Sequence, residues 1–218
     1  MPGNIPTVAL PPGVPHDPVT SVTAERVGLF GGTFDPPHVG HLVAAVNVRH
    51  ALRLDRLLLL VANEPWQKIG QRPISVAADR LAMVRAAVRS VPALEASDRE
   101  IRRGGPSYSA DTLEELAAED PARELFLVVG SDAAAGLPTW ERVDAVRELA
   151  TVVVVERPGS VEGPLPAGFR WRHVEAPRLD VSSTDLRARI TDGRPLDYLL
   201  PPEVISCIAE RRLYREAR

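Results

Sequence analysis

Cysteine is nearly absent from this 218-residue chain, and Cys207 is the only one. It cannot pair within the chain, which excludes a disulfide-stapled secreted fold, and one thiol cannot build a four-cysteine zinc site. Lysine is equally scarce: Lys68 is the only lysine among 26 basic residues. Lysine and arginine are not equivalent donors, so a lone lysine in an arginine-rich background is a candidate functional residue, set against chance retention. Long apolar runs are missing too. Leu57–Ala62 and Val152–Val155 are strand-sized, far short of the roughly 18 residues that a membrane span needs. No basic segment followed by an apolar stretch opens the chain, which reads as cytoplasmic. A formal net charge of −3 gives no general pull toward nucleic acid or membrane surfaces.

The composition that remains, 44% hydrophobic and 25% charged, is that of an ordinary globular protein long enough to bury a sizeable core. Collagen-like, coiled-coil and wholly disordered chains are excluded. Residues 1–24 are rich in Pro, Thr and Val without a clear period, and Pro11-Pro12-Gly13 and Pro15 break regular structure, so they read as a disordered extension. The domain is expected over residues 25–218.

From Arg26 onward, apolar strands alternate with helical stretches. Strands are expected at 26–30, 57–61, 125–129 and 152–155, with another at 171–175. Helices are expected at 39–52, 76–91 (with Ser75 as N-cap), 111–118, 144–150, 183–190 and 202–212. Continuous apolar strands separated by helices imply an α/β fold, a Rossmann-like open and mostly parallel sheet with helices on both faces. No internal repeat is visible, and the Pro/Gly-rich stretch 157–168 reads as a surface loop.

Open parallel sheets bind ligands beyond the carboxyl ends of their strands. At such an end stands Gly31-Gly32-Thr33-Phe34-Asp35-Pro36-Pro37-His38-Val39-Gly40-His41. Its glycines let a ligand approach the backbone, and the two prolines lead rigidly into a helix start, whose free N–H groups and positive dipole end suit phosphate. His38 and His41, three apart, share one side of the first turn at about 5–6 Å between Cβ atoms. Gly40 between them is expected to leave room for a bulky ligand. Two imidazoles so placed can donate to phosphate oxygens.

This segment resembles the signature of the HxGH nucleotidyltransferase superfamily. Val181-Ser182-Ser183-Thr184-Asp185-Leu186-Arg187 is similar to that superfamily's second motif, another helix N-terminus, with hydroxyls and an arginine suited to the outer phosphates of ATP. Three further segments are most similar to the bacterial nicotinate mononucleotide (NaMN) adenylyltransferases. They are Gly105 to Leu113, containing Ser107-Tyr108-Ser109, then Gly130-Ser131-Asp132 with Thr139-Trp140, and Asp79 to Val84. Two positions depart from that pattern: Ser109 stands for the usual threonine, and Pro65-Trp66-Gln67-Lys68 for Pro-Pro-His-Lys.

The resemblance implies adenylyl transfer from ATP to NaMN, with direct attack and no covalent enzyme intermediate. It implies His38, His41, Lys68 and Arg187 as catalytic residues. For ATP it implies Gly31, Gly32, Thr33, Phe34, Gly130, Asp132, Ser183 and Thr184 beside the two histidines and Arg187. For NaMN it implies Gly32, Lys68, Tyr108, Ser109, Thr112, Asp132 and Trp140. No protein metal site is expected; Mg2+ would arrive with ATP, as this ion keeps phosphate and water ligands. Arg102 and Arg103 are expected to be a solvated pair. Another HxGH transferase, such as a phosphopantetheine adenylyltransferase, and a nucleotide sensor without turnover are the competing readings. Self-association and the choice between NaMN and its amide, NMN, are left open by the sequence.

Overall fold

A computed structural model describes residues 24–65, 73–156, 165–177 and 179–214. All but the last residue of the expected N-terminal extension lies outside them, as do Trp66 and Lys68. Six strands form one parallel sheet: β1 (Arg26–Gly32), β2 (Arg56–Val61), β3 (Leu94–Ser97), β4 (Glu124–Gly130), β5 (Ala150–Glu156) and β6 (Arg170–Glu175). Their order across the sheet is β3-β2-β1-β4-β5-β6. The chain reverses its direction of travel between β1 and β4, so the crevice where a doubly wound sheet binds nucleotides lies over those two strands.

Side chains alternate across each strand, and the apolar runs therefore split between two cores. Leu58 and Leu60 join Leu127, Val129, Val152 and Val154 on one face, beneath α4 (Ser109–Glu119), α5 (Ser131–Gly136) and α6 (Val143–Leu149). Leu57, Leu59 and Val61 join Phe126, Val128 and Val153 on the other, against α1 (Val39–Ala51) and α2 (Ala77–Val88). A third cluster seats α7 (Ser183–Asp192) and α8 (Pro202–Glu210) on α2 through Met83, Leu186, Val204 and Ile208. This carries the C-terminal part of the chain back to the helices beside β1.

The expected α/β architecture is present, with three additions. β3 has four residues, α3 (Arg99–Arg103) has five, and α5 has six; each is too short to show a period in the sequence. One cap differs. The N-cap of α2 is Val76 rather than Ser75, because the Ser75 carbonyl is occupied by the side chain of Arg80. Among the described residues no helix is long and apolar enough to cross a membrane.

Candidate active site

A pocket opens over the crevice between β1 and β4. Its floor is Gly31, Gly32 and Thr33 from the end of β1 and Val129 and Gly130 from the end of β4, and its far wall is Tyr108, Ser109 and Trp140. Among the described residues, a Cβ added at Gly31 or Gly130 would meet nothing within 4 Å, so both glycines leave the floor open. Gly32 has the opposite reason to be glycine: a Cβ there would lie 2.7 Å from the ring of Phe34. Phe34 itself is buried at φ 50°, in the left-handed region, with its ring packed against Gly32.

The two signature histidines lie beside this floor at the start of α1. Their rings are stacked, with centroids 3.8 Å apart. The His38 backbone N–H donates to Nδ1 of His41 at 3.2 Å, so a neutral His41 carries its proton on Nε2, the outward donor. The edges of Phe30 and Phe34 flank the His41 ring. His38 is buried, and its Nδ1 has no hydrogen-bond partner among the described residues. Burial pulls its pKa from 6.5 down to about 4, so the ring is neutral near pH 7. The space above Gly40 is not open to a ligand as expected: a Cβ there would lie 3.0 Å from His38 Nδ1, and the His38 ring fills it.

The loop between β1 and α1 is held from three directions. Arg80, 1% exposed, donates to the carbonyls of Thr33 and Asn63 at 3.0 Å each and to that of Ser75 at 2.8 Å. From α7, Arg187 Nη1 donates to the Asp35 carbonyl at 2.7 Å, and the Ser183 hydroxyl to that of Pro36 at 2.8 Å. From beyond α8, the Tyr214 hydroxyl donates to the Asp35 carboxylate at 2.7 Å. Burial, the Asp35 charge and this hydrogen bond hold the Tyr214 hydroxyl far above its ordinary pKa, as a permanent donor. Ser182 caps α7, accepting from the Asp185 N–H, and Thr184 is exposed with its hydroxyl on Arg187. The second motif thus packs directly against the first.

On the far wall, α4 begins at Ser109 with Tyr108 as N-cap and no side-chain cap. Its first-turn N–H groups are the donors such a helix start offers to an anion. Trp140 lines the pocket and also packs on the apolar core below. Thr112 does not line it. Its side chain is fully buried, accepting from Arg103 Nη2 at 2.9 Å and facing Glu100 at 3.4 Å. Arg103 is correspondingly no solvated residue, for it pairs with Glu115 at 2.6 Å; Arg102 pairs with Asp98 at the surface. Asp132 stands exposed in the first turn of α5. Lys68 falls outside the described residues. Among the described residues no group of three His, Cys, Asp or Glu side chains is placed to hold a metal ion.

Sequence reasoning did not reach Glu100, nor the structural parts of Arg80 and Tyr214. Glu100 lines the pocket and is 5% exposed. Arg80 lay inside a quoted motif, but only as a helix residue.

A parallel sheet with this strand order, a glycine floor at its switch point and paired imidazoles at a helix start define a nucleotide-binding α/β protein of the nucleotidyltransferase class. The sequence profile of the cytidylyltransferase-like family matches residues 29–189. The chain is 44% identical over 200 residues, 89% of its own length and 93% of the other's, to a protein of Corynebacterium kroppenstedtii named "Probable nicotinate-nucleotide adenylyltransferase". It is also 44% identical to one of the same name from Roseiflexus sp., covering 89% of this chain and all of that one. In three dimensions it matches Plasmodium falciparum nicotinic acid mononucleotide adenylyltransferase complexed with NaAD. That match has a TM-score of 0.73 at 16% identity, over 87% of this chain and 97% of the other. The chain belongs to the nicotinate-nucleotide adenylyltransferase family of cytidylyltransferase-like proteins.

Proposed function

We propose that this protein transfers the adenylyl group of ATP to nicotinate mononucleotide, giving nicotinate adenine dinucleotide and pyrophosphate, a step of NAD biosynthesis. The observation that carries the reading is the joint placement of a stacked histidine pair at one helix start and a second helix start without a side-chain cap across the same glycine floor. One suits a polyphosphate and the other a second anionic substrate. The names of the relatives supply the chemistry of that second substrate.

In this reading a 5′-phosphate oxygen of NaMN attacks the α-phosphorus of ATP in line, and the bond to the β-phosphate breaks to release pyrophosphate. The phosphate is already a nucleophile, so the protein positions and stabilises charge. His38 and His41 donate to the α- and bridging oxygens. Arg187 and Lys68 neutralise the phosphates, and Ser183 and Thr184 hold the outermost one. Gly31, Gly32, Thr33, Phe34 and Gly130 form the path along which ATP lies. Trp140 stacks on the pyridine ring, Tyr108 and Ser109 meet its carboxylate, Thr112 supports them from within, and Asp132 meets a ribose hydroxyl. The donor set is cationic and N–H-rich rather than carboxylate-rich, which fits Mg2+ carried on the ATP phosphates instead of on the protein. This ion would neutralise charge on the pyrophosphate leaving group.

Pyrophosphate release from ATP and Mg2+, followed with NaMN and with NMN in parallel, tests the reading. Turnover with NaMN well above that with NMN is expected. Absence of turnover with NaMN overturns it; turnover with phosphopantetheine would then select the neighbouring transferase, and ATP binding with none of the three the sensor.

A further inference from the structure

Glu100 is a buried carboxylate that the proposed chemistry does not use. It lies on α3, outside every quoted motif, yet it forms part of the wall of the pocket alongside Ser107, Tyr108 and Ser109. Burying a carboxylate is costly unless donors meet it, and here the donors are specific. The Ser107 and Thr112 hydroxyls hydrogen-bond to it, and the Arg103 guanidinium faces it. Burial outweighs them and pushes the Glu100 pKa up.

The direction of each hydrogen bond is fixed by its neighbour. The Ser107 Oγ accepts from the Asn63 N–H at 2.8 Å, and the Thr112 Oγ1 accepts from Arg103 at 2.9 Å. Each hydroxyl has one proton, and each turns it toward Glu100. Ser107 and Thr112 bracket the point where α4 begins, one before its N-cap Tyr108 and one in its first turns. A single carboxylate therefore grips both sides of the segment whose N–H groups face the pocket. The other face of that segment is tied to the loop after β2, where the Ser107 N–H donates to the Glu64 carbonyl at 3.1 Å and Asn63 Nδ2 to the Gly105 carbonyl at 3.0 Å.

We propose that Glu100 is a specificity-determining positioning residue, which through Ser107 and Thr112 sets the start of α4 that receives the acidic end of the pyridine nucleotide. This rests on the reading of that wall as the pyridine-nucleotide half of the site. A nicotinate carboxylate is discriminated from a carboxamide by the direction of the donors it meets, and rotating those donors weakens the acid far more than it weakens ATP at the other end of the floor.

The test is steady-state kinetics of Glu100→Gln and Ser107→Ala beside the wild type. Each substrate is varied against saturation by the other, NMN is included, and thermal melting is followed. The Gln variant keeps the shape and one acceptor but loses the charge facing Arg103. The Ala variant removes one hydroxyl and is the milder change for folding. The expected result in both is a KM for NaMN raised on the order of tenfold, a KM for ATP within about twofold of wild type, and a fall in the NaMN-to-NMN ratio of kcat/KM. Equal rises in both KM values, or a lowered melting temperature with the substrate ratio unchanged, overturn the proposal and leave Glu100 a structural residue. A wild type that does not use NaMN is a different failure: it removes the pyridine reading, and this inference with it.

Discussion

The Nδ1 of His41 accepts the backbone N–H of His38 at 3.2 Å, while the two rings stack at 3.8 Å. One short helix turn thereby fixes both the tautomer and the orientation of the outward donor. The contact is local, three residues apart, and yet it depends on a loop secured from two distant helices, α2 and α7, and from the segment after α8.

A donor aimed at charge that develops in the transition state contributes on the order of 10²–10³ in rate. His41→Ala is therefore expected to lower kcat by roughly that factor, with the far-ultraviolet circular dichroism unchanged. A variant within about threefold of wild type would take His41 out of the chemistry.

Gly40 offers a sharper separation of stability from activity. It sits between the histidines in the first turn of α1, where alanine is a better helix former than glycine by up to about 1 kcal/mol. The added Cβ would lie 3.0 Å from His38 Nδ1, so the imidazole has to give by a few tenths of an ångström. Gly40→Ala is expected to melt no lower than wild type and to lose on the order of tenfold in kcat, because small misplacements of a positioned group are costly. Full activity would show that the His38 ring tolerates the shift.

The acid side of the stability profile should carry the mark of His38. Its pKa is about 4 in the folded protein against an ordinary 6.5. Below 6.5 the unfolded chain takes up a proton that the folded chain refuses, so stability falls as pH drops from about 6.5 to 4 and levels off below. The contribution above that window is on the order of 3 kcal/mol at most. Glu100, with its pKa raised by burial, works in the opposite direction. The comparison is therefore between wild type and His38→Asn, which share it. Urea midpoints at pH 7 and pH 4.5 should differ by less in the variant. Equal pH dependence in the two would show that His38 titrates normally.

Much of this molecule is legible in its residue order, and the limits of that reading have a physical cause. Strands such as Leu57–Val61 are buried on both faces and show as unbroken apolar runs; β3 has only Leu94 and Ser97 buried, at the edge of the sheet, and shows nothing. The two signature motifs are contiguous, so residue type and spacing expose them. The groups that hold those motifs in place are not contiguous. Arg80 satisfies three carbonyls, from Thr33, Asn63 and Ser75, and a carbonyl has no signature in a sequence. The resemblance implies Thr112 as part of the pyridine site together with Tyr108 and Ser109, but its side chain is fully buried and tied to Arg103 and Glu100, and partners brought in from another helix leave no mark in a contiguous motif.

The most distant of these supports joins the penultimate segment of the chain to the first loop. The Tyr214 hydroxyl meets the Asp35 carboxylate at 2.7 Å across 179 positions in sequence, and Asp35 is 1% exposed. Its own carbonyl is the acceptor for Arg187, so Tyr214 and Arg187 hold opposite ends of one residue just before the histidines. Tyr214→Phe keeps the ring packed against the α2–α8 cluster and removes only the donor. It is expected to cost about 1–3 kcal/mol of stability and to raise the KM for ATP more than that for the second substrate. Asp35→Asn in the same background removes the buried charge that the Tyr214 hydroxyl met, so the double variant should be more stable than the sum of the single changes by about 0.5–3 kcal/mol. Strict additivity in the unfolding free energies would mean that the Tyr214–Asp35 bond contributes nothing of its own, and the loop would then owe its position to Arg80, Ser183 and Arg187.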